Sequence, residues 1–222
     1  MFITTGRIVI NTMTKLIIIR HGESEANEAG VVAGHTDYKL SALGKEQARQ
    51  TADYLAGERI DAIYSSDLCR AVETALPHAE SRDLEVFRCP ELRETYCGRW
   101  EGVSFDDLRA NERELFESFR DHYMFFTMPE GEGLWESGVR FYHKVMEIAK
   151  ENPDKTVLIT AHGAVIRVFW VLICGTPREE AGEKHPYPSN ASYSVAWFDG
   201  EKMIPGEFSH DAHLPHATHL HI

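Results

Sequence analysis

The sequence has no apolar run long enough to cross a bilayer. Its longest, AVIRVFWVLIC at 164–174, is interrupted by Arg167 and reads as a buried helix, so no membrane partner is expected. Positive charge is scarce: 23 Lys and Arg face 35 Asp and Glu, for a net charge of −12. Binding to a phosphate backbone draws on clustered Lys and Arg, so neither nucleic acid nor an anionic membrane surface is an expected partner. Any anionic ligand has to be held by a few locally placed cations. Cysteine is sparse as well. Cys69, Cys89, Cys97 and Cys174 show no C-x-x-C spacing and no metal-ligand spacing with histidine, so they read as reduced thiols of a cytoplasmic protein with no metal site. The opening MFITTGRIVINT lacks a long apolar segment and a small-residue cleavage site, which argues against a secretory signal. Met13 stands just before the first clear strand, so residues 1–12 are read as an optional leader.

What is present fits one large domain. The chain has 222 residues, 43% of them hydrophobic, enough for a sizeable core. Apolar runs of strand length alternate with helical periodicity. Strands are expected at 15–20, 61–65, 84–87, 156–160 and 192–198, with a weaker edge candidate in EKMIPGEF, where Pro205 disfavours a central position. Helices are expected at 41–56 and at 67–76, started by Ser66 and Asp67 and ended by Pro77. A third spans 134–150, with Val139, Tyr142, Val145, Met146 and Ala149 as its apolar stripe. The buried helix at 164–174 follows the fourth strand. Residues 104–126 look helical but irregular and are rich in aromatics. Strand, helix, strand, helix implies an α/β fold, a three-layer α/β/α sandwich around a mainly parallel sheet. The expected boundaries are 13–209 for the domain, with a helical lid insertion at about 103–130, and 210–222 for a His-rich tail.

One feature repeats. LIIIRHG at 16–22 and VLITAHG at 157–163 are each an aliphatic strand, one intervening residue, then His-Gly and a turn toward a helix. In a parallel sheet such turns lie together at the carboxyl ends of the strands, where ligands bind. His21 and His162 can therefore meet. Arg20 flanks the first, and Arg70, in SSDLCRAVETA, opens the helix after the second strand. Taken singly, each has a plain structural reading: a core histidine, or a surface arginine paired with Glu73 or Asp67. Taken together they describe a phosphate pocket. Guanidinium forks match phosphate oxygens, and the glycines would let backbone amides at a helix start approach the anion.

These blocks, RHGES, then Asn27, SSDLCRAVETA, ELRETYCGRWEG and TAHGAVIR, resemble the histidine phosphatase superfamily, the phosphoglycerate-mutase-like group, over roughly residues 15–198. The phosphatase branch that includes alpha-ribazole phosphatase is the nearest in its LRE and GRWEG block. The resemblance implies a metal-independent, cofactor-free phosphomonoester hydrolase acting on a small phosphorylated metabolite. His21 would be the nucleophile that becomes phosphohistidine. Arg20, Arg70 and His162 would hold the non-bridging oxygens, with Gly163 at the helix start and Asn27 as a neutral donor. Glu94 would be the general acid and then the base, ahead of the rivals Glu91 and Glu101. Glu23 and Ser24 would support the helix start.

The sequence also departs from the family pattern. Gly131-Glu132-Gly133 lacks a capping serine before the long helix, and His35 stands where an aromatic is common and a substrate contact is conceivable. The histidine spacing of the end, HDAHLPHATHLHI, suggests a metal site, but Pro215 breaks a regular helix and no Cys or Asp/Glu set completes one. It therefore reads as a flexible tail, in which His213-Leu214 resembles the HL near the end of some family members and would be structural. Two alternatives stay open: a phosphoglycerate mutase, and a catalytically silent module that binds a phosphorylated ligand.

Overall fold

The computed structural model describes residues 13–215. The sheet grows from one strand. β1 (Thr14–Arg20) is a run of β-branched side chains buried on both faces, as a central strand covered by helices on two sides requires. It pairs in parallel with β4 (Thr156–Ala161), Ile18 opposite Ile159, and antiparallel with β5 (Tyr193–Phe198), Ile17 opposite Val195. With β2 (Ala62–Ser65), β3 (Val86–Arg88) and β6 (Met203–Pro205), the order is β3-β2-β4-β1-β5-β6. β3, β2, β4 and β1 run parallel, and β5 and β6 close the far side antiparallel.

Successive side chains on a strand point to opposite faces, and β1 divides the core accordingly. Leu16 and Ile18 pack with Phe141, Val145 and Phe169 from α6 (Leu134–Glu151) and α7 (Gly163–Cys174). Ile17 and Ile19 pack with Ala75 and Ala79 from α3 (Cys69–Glu80), which lies beside α2 (Ala42–Tyr54). The three-layer sandwich follows from that alternation. The aromatic-rich insertion forms α4 (Phe105–Asn111) and α5 (Arg113–Asp121), and a short helix, α1 (Glu25–Ala29), follows β1. The last helix is α8 (Ala181–Lys184).

Several expectations are corrected. Pro77 does not end the helix expected at 67–76: α3 continues to Glu80 with Pro77 inside it. The missing N–H frees only one carbonyl, while Ala75, His78 and Ala79 stay buried around the proline and hold the last turn in place. Nor do Ser66 and Asp67 start it. Leu68 is the N-cap residue, without a side-chain cap, and Asp67 forms a two-pronged pair with Arg93 at 2.7 and 2.6 Å. The stripe on α6 is rotated, so that Phe141 and Ile148 are buried with Val145 and Ala149, while Val139, Tyr142 and Met146 are half-buried. β3 lies two residues later than expected, because Val86 is the first residue in register with Ile63.

At the carboxyl end, His210 pairs with Tyr193 through backbone bonds of 3.1 and 2.8 Å, and Leu214 is buried. His213 shares a 2.9 Å hydrogen bond with the Thr51 hydroxyl and stacks on Tyr54. The packed chain thus extends past 209. His216, His219, His221 and the expected leader 1–12 lie outside the described residues.

Candidate active site

β1 ends at Arg20 and β4 at Ala161, directly opposite each other. The residue after each strand is a histidine, and the His21 amide donates to the Ala161 carbonyl at 2.9 Å. The two imidazoles come to rest with centroids 5.2 Å apart. Each following glycine permits a close approach. A Cβ on Gly22 would lie 2.5 Å from the Gly44 carbonyl oxygen, and one on Gly163 would lie 2.2 Å from the Tyr187 ring.

His21 is 5% exposed and His162 is fully buried. Burial, reinforced by the Arg70 and Arg20 charges, holds the His21 pKa well below the usual imidazole range. Burial and then Arg70 do the same to His162. Both rings are therefore neutral at pH 7. The Nδ1 of His21 lies 2.7 Å from the Gly22 carbonyl oxygen. A carbonyl only accepts, so Nδ1 carries the proton and the lone pair on Nε2 is free.

The cations around this pair are buried and incompletely bonded. Arg70, in the first turn of α3, is fully buried and donates to the carbonyls of Thr36 (3.0 Å) and Gly34 (2.7 Å). Arg20 is 3% exposed, donates to Pro188 O at 2.6 Å, and lies 5.0 Å over the Tyr187 ring. Neither arginine's Nε nor either His162 nitrogen has a partner among the described residues. A buried donor without an acceptor costs roughly 1–3 kcal/mol, so a set of them beside one histidine is an arrangement waiting for an anion.

Arg20, His21, Asn27, Arg70 and Glu94 line one cavity of about 90 Å³, whose other wall is apolar and aromatic, including Trp100, Phe105, Phe119 and Tyr123. His162 stands beside the lining residue His21, and Gly163 lies against Tyr187. Glu94 reaches the cavity from the loop after β3. Its Oε1 accepts the Thr95 amide at 2.9 Å and its Oε2 the Ala164 amide at 3.1 Å. Arg140 fixes that loop by donating to the carbonyls of Glu91, Arg93 and Glu94. Glu91 is exposed, and Glu101 spends its carboxylate on the His35 and Cys97 amides and the Thr36 hydroxyl. Neither lines the cavity. Ser24 caps α1 in a reciprocal pair with Asn27. The Asn27 Oδ1 also accepts from Asn190 at 3.1 Å, which leaves its NH2 as the free donor.

Two expectations change here. The Gly22 amide does not wait for an anion: it donates to the Thr74 hydroxyl at 3.0 Å. His35 does not reach the cavity; its Nε2 donates to Glu94 O at 2.8 Å and its ring lies against Tyr96. Tyr187, Arg140 and Asn190, whose Nδ2 donates to His21 O at 3.1 Å, were not legible in the sequence. PYPSN at 186–190 gave only the signal of a turn.

Residues 16–206 match the family model described as "Histidine phosphatase superfamily (branch 1)". Phosphoserine phosphatase 1 of Hydrogenobacter thermophilus is 31% identical over 202 residues, covering 91% of this chain and 95% of that protein. The adenosylcobalamin/alpha-ribazole phosphatase of Escherichia coli is 30% identical over 165 residues, covering 74% of this chain and 81% of that protein. Among solved structures, Bacillus stearothermophilus YhfR superposes with a TM-score of 0.84 at 27% identity, covering 90% of this chain and 98% of the other.

Proposed function

Because the chain belongs to the histidine phosphatase superfamily, branch 1, we propose that it hydrolyses small phosphorylated metabolites through a phosphohistidine on His21. The observation that carries this reading is the free Nε2 of a neutral His21 set among the unpartnered donors of Arg20, Arg70 and His162.

The Nε2 lone pair attacks phosphorus, and the ester P–O bond breaks as the P–N bond forms. Arg20, Arg70, His162 and the Asn27 amide hold the non-bridging oxygens, where negative charge is spread in the transition state. Glu94 gives its proton to the leaving oxygen. As the carboxylate so formed, it takes a proton from a water molecule, which attacks the phosphohistidine; the P–N bond breaks and inorganic phosphate leaves. Charge balance needs no divalent ion, since the two arginines face the anion directly. Among the described residues no group of three or more His, Cys, Asp or Glu is placed to hold a metal ion, and no helix is long and apolar enough to cross a membrane.

The cavity also favours water over a retained acid as the phosphoryl acceptor. Among the described residues, Arg20 and Arg70 are the only Lys or Arg lining it, and both serve the phosphoryl site. A mutase would need further cations in that cavity to keep a phosphorylated three-carbon acid while it reorients. The test is an aryl phosphate assay on wild type and His21→Ala, with base-quenched labelled substrate to trap phosphate on His21. Turnover in wild type, loss in the variant and label on His21 are expected. Full activity in the variant would refute the assignment, and absence of turnover in wild type would favour a binding module.

A further inference from the structure

A second cavity, about 520 Å³, adjoins the catalytic one, and Tyr123 and Tyr187 belong to the walls of both. Arg167 and Arg178 line it. On this acidic chain, arginines such as Arg93, Arg99, Arg120 and Arg140 are neutralised by carboxylates. Arg167 and Arg178 form no such pair among the described residues.

Each is nonetheless fixed in place. Arg167 is 8% exposed, so it has largely given up hydration. Its Nε and Nη2 donate to the carbonyls of His185 (2.7 Å) and Gly182 (3.3 Å), and its guanidinium lies 4.9 Å over the Tyr123 ring. Nη1 has no acceptor among the described residues. Arg178 sits between Phe125 and Trp135, at 4.3 and 4.4 Å, and donates to Met124 O at 2.5 Å. Its Nε is buried without an acceptor. Among the described residues, the only carboxylates on this cleft are Asp121, which pairs with Arg120, and the exposed Glu179.

A buried or half-buried guanidinium held by carbonyls and aromatic faces, with no carboxylate paired to it, keeps its unspent donors. Two of them opening on one cleft make an anion site. The aromatic partition links it to the catalytic cavity: Arg20 lies on Tyr187, Tyr187 meets Tyr123 edge-on at 6.3 Å, and Arg167 lies on Tyr123.

We propose that the Arg167–Arg178 cleft is a second anion-binding site that takes a carboxylate or phosphate group beside the reacting phosphoryl group. That anion is either the far end of a substrate's leaving group passing the Tyr123–Tyr187 partition, or a free anion. The site depends on the catalytic reading only for the first source.

The test compares alkyl phosphates of increasing length ending in a carboxylate with equal-length esters ending in a methyl group, on wild type, Arg178→Gln and Arg178→Lys. A second readout is the shift in melting temperature that succinate gives wild type beyond the shift it gives Arg178→Gln, which keeps the catalytic cavity intact. If the anion belongs to the substrate, the carboxylate esters of sufficient length gain about tenfold in kcat/KM over their methyl partners, as a charge-assisted hydrogen bond allows. That ratio falls toward one in Arg178→Gln and is largely kept in Arg178→Lys. If the anion is free, the ratio is flat while succinate raises the melting temperature of wild type and not of Arg178→Gln. Wild type showing neither effect overturns the proposal, whatever the variants do. Failure of the catalytic reading is separate: it appears as no turnover of any phosphate ester, with the succinate shift intact.

Discussion

Glu94→Gln tests proton transfer, because glutamine keeps the shape of the side chain while removing its acid and one of its two acceptor oxygens. The consequence for chemistry depends on the leaving group. Positioned general acid help is worth about 10²–10⁴-fold, or roughly 3–5 kcal/mol. An alkyl phosphate, whose alkoxide leaves poorly without a proton, should lose that much in kcat/KM. An aryl phosphate should lose little in the first step, then stall as phosphohistidine because the base that activates water is gone. Rapid-quench kinetics on an aryl phosphate should therefore show a burst of phenol release followed by slow phosphate release. The consequence for stability comes from the two amides on the carboxylate, Thr95 N and Ala164 N at 2.9 and 3.1 Å. Glutamine offers one carbonyl oxygen and must turn its NH2 toward the other amide. Leaving a donor unpaired costs roughly 1–3 kcal/mol. Glu94 is half-buried, so the lower end applies, a fall of about 2–4 °C in melting temperature for a domain of this size. Equal losses on alkyl and aryl phosphates in the phosphorylation step, with no burst, would refute the acid–base role and leave Glu94 a binding residue.

Two further outcomes are expected. His78 is fully buried with neither ring nitrogen bonded, and burial together with the Arg82 charge pulls its pKa from 6.5 down to about 3. Below pH 6.5 the unfolded chain takes up a proton that the folded one refuses, so stability falls as pH drops toward 3. His78→Leu should reduce that fall in urea titrations between pH 7 and pH 4, with His21, His162, His185, His213 and the carboxylates whose pKa is lowered, Asp67 among them, supplying the slope that remains; an unchanged slope would show that His78 is not the buried neutral group. Activity should be undiminished in excess chelator, since arginines supply the charge balance. Chelator-sensitive activity restored by a divalent ion would contradict this.

The parts of the fold that were legible in the sequence are those where one period dominates. β1 and β4 are short runs of buried β-branched residues, and their joint role at the sheet centre follows from apolarity on both faces. Where tertiary packing overrides a local rule, the sequence misleads. A proline reads as a stop, yet α3 runs through Pro77 because the core side of its last turn is already buried. On α6 more than one apolar stripe can be drawn through the same residues, and only the position of Phe169 on α7 selects the face carrying Phe141, with ring centroids 5.7 Å apart.

The site divides along the same line. His21, His162 and Arg70 stand at the ends of regular elements, so chain register alone carries them to one place. Tyr187, Asn190 and Arg140 act through contacts that no spacing encodes: Arg20 and the Pro188 carbonyl are separated by 168 residues, and Arg140 reads as a charge on a helix until its guanidinium is seen holding the Glu94 loop. Arg167 shows why such residues escape. In sequence it is only an interruption of an apolar run that reads as a buried helix, with nothing to say what meets its charge. In the structure it is buried, its charge spread over carbonyls and the Tyr123 ring. Burying an arginine is unfavourable unless its donors are met, so a charge inside an apolar helix is a statement about what lies across from it. Here that is an aromatic partition with a cleft beyond, beside a cavity whose own arginines already serve another anion.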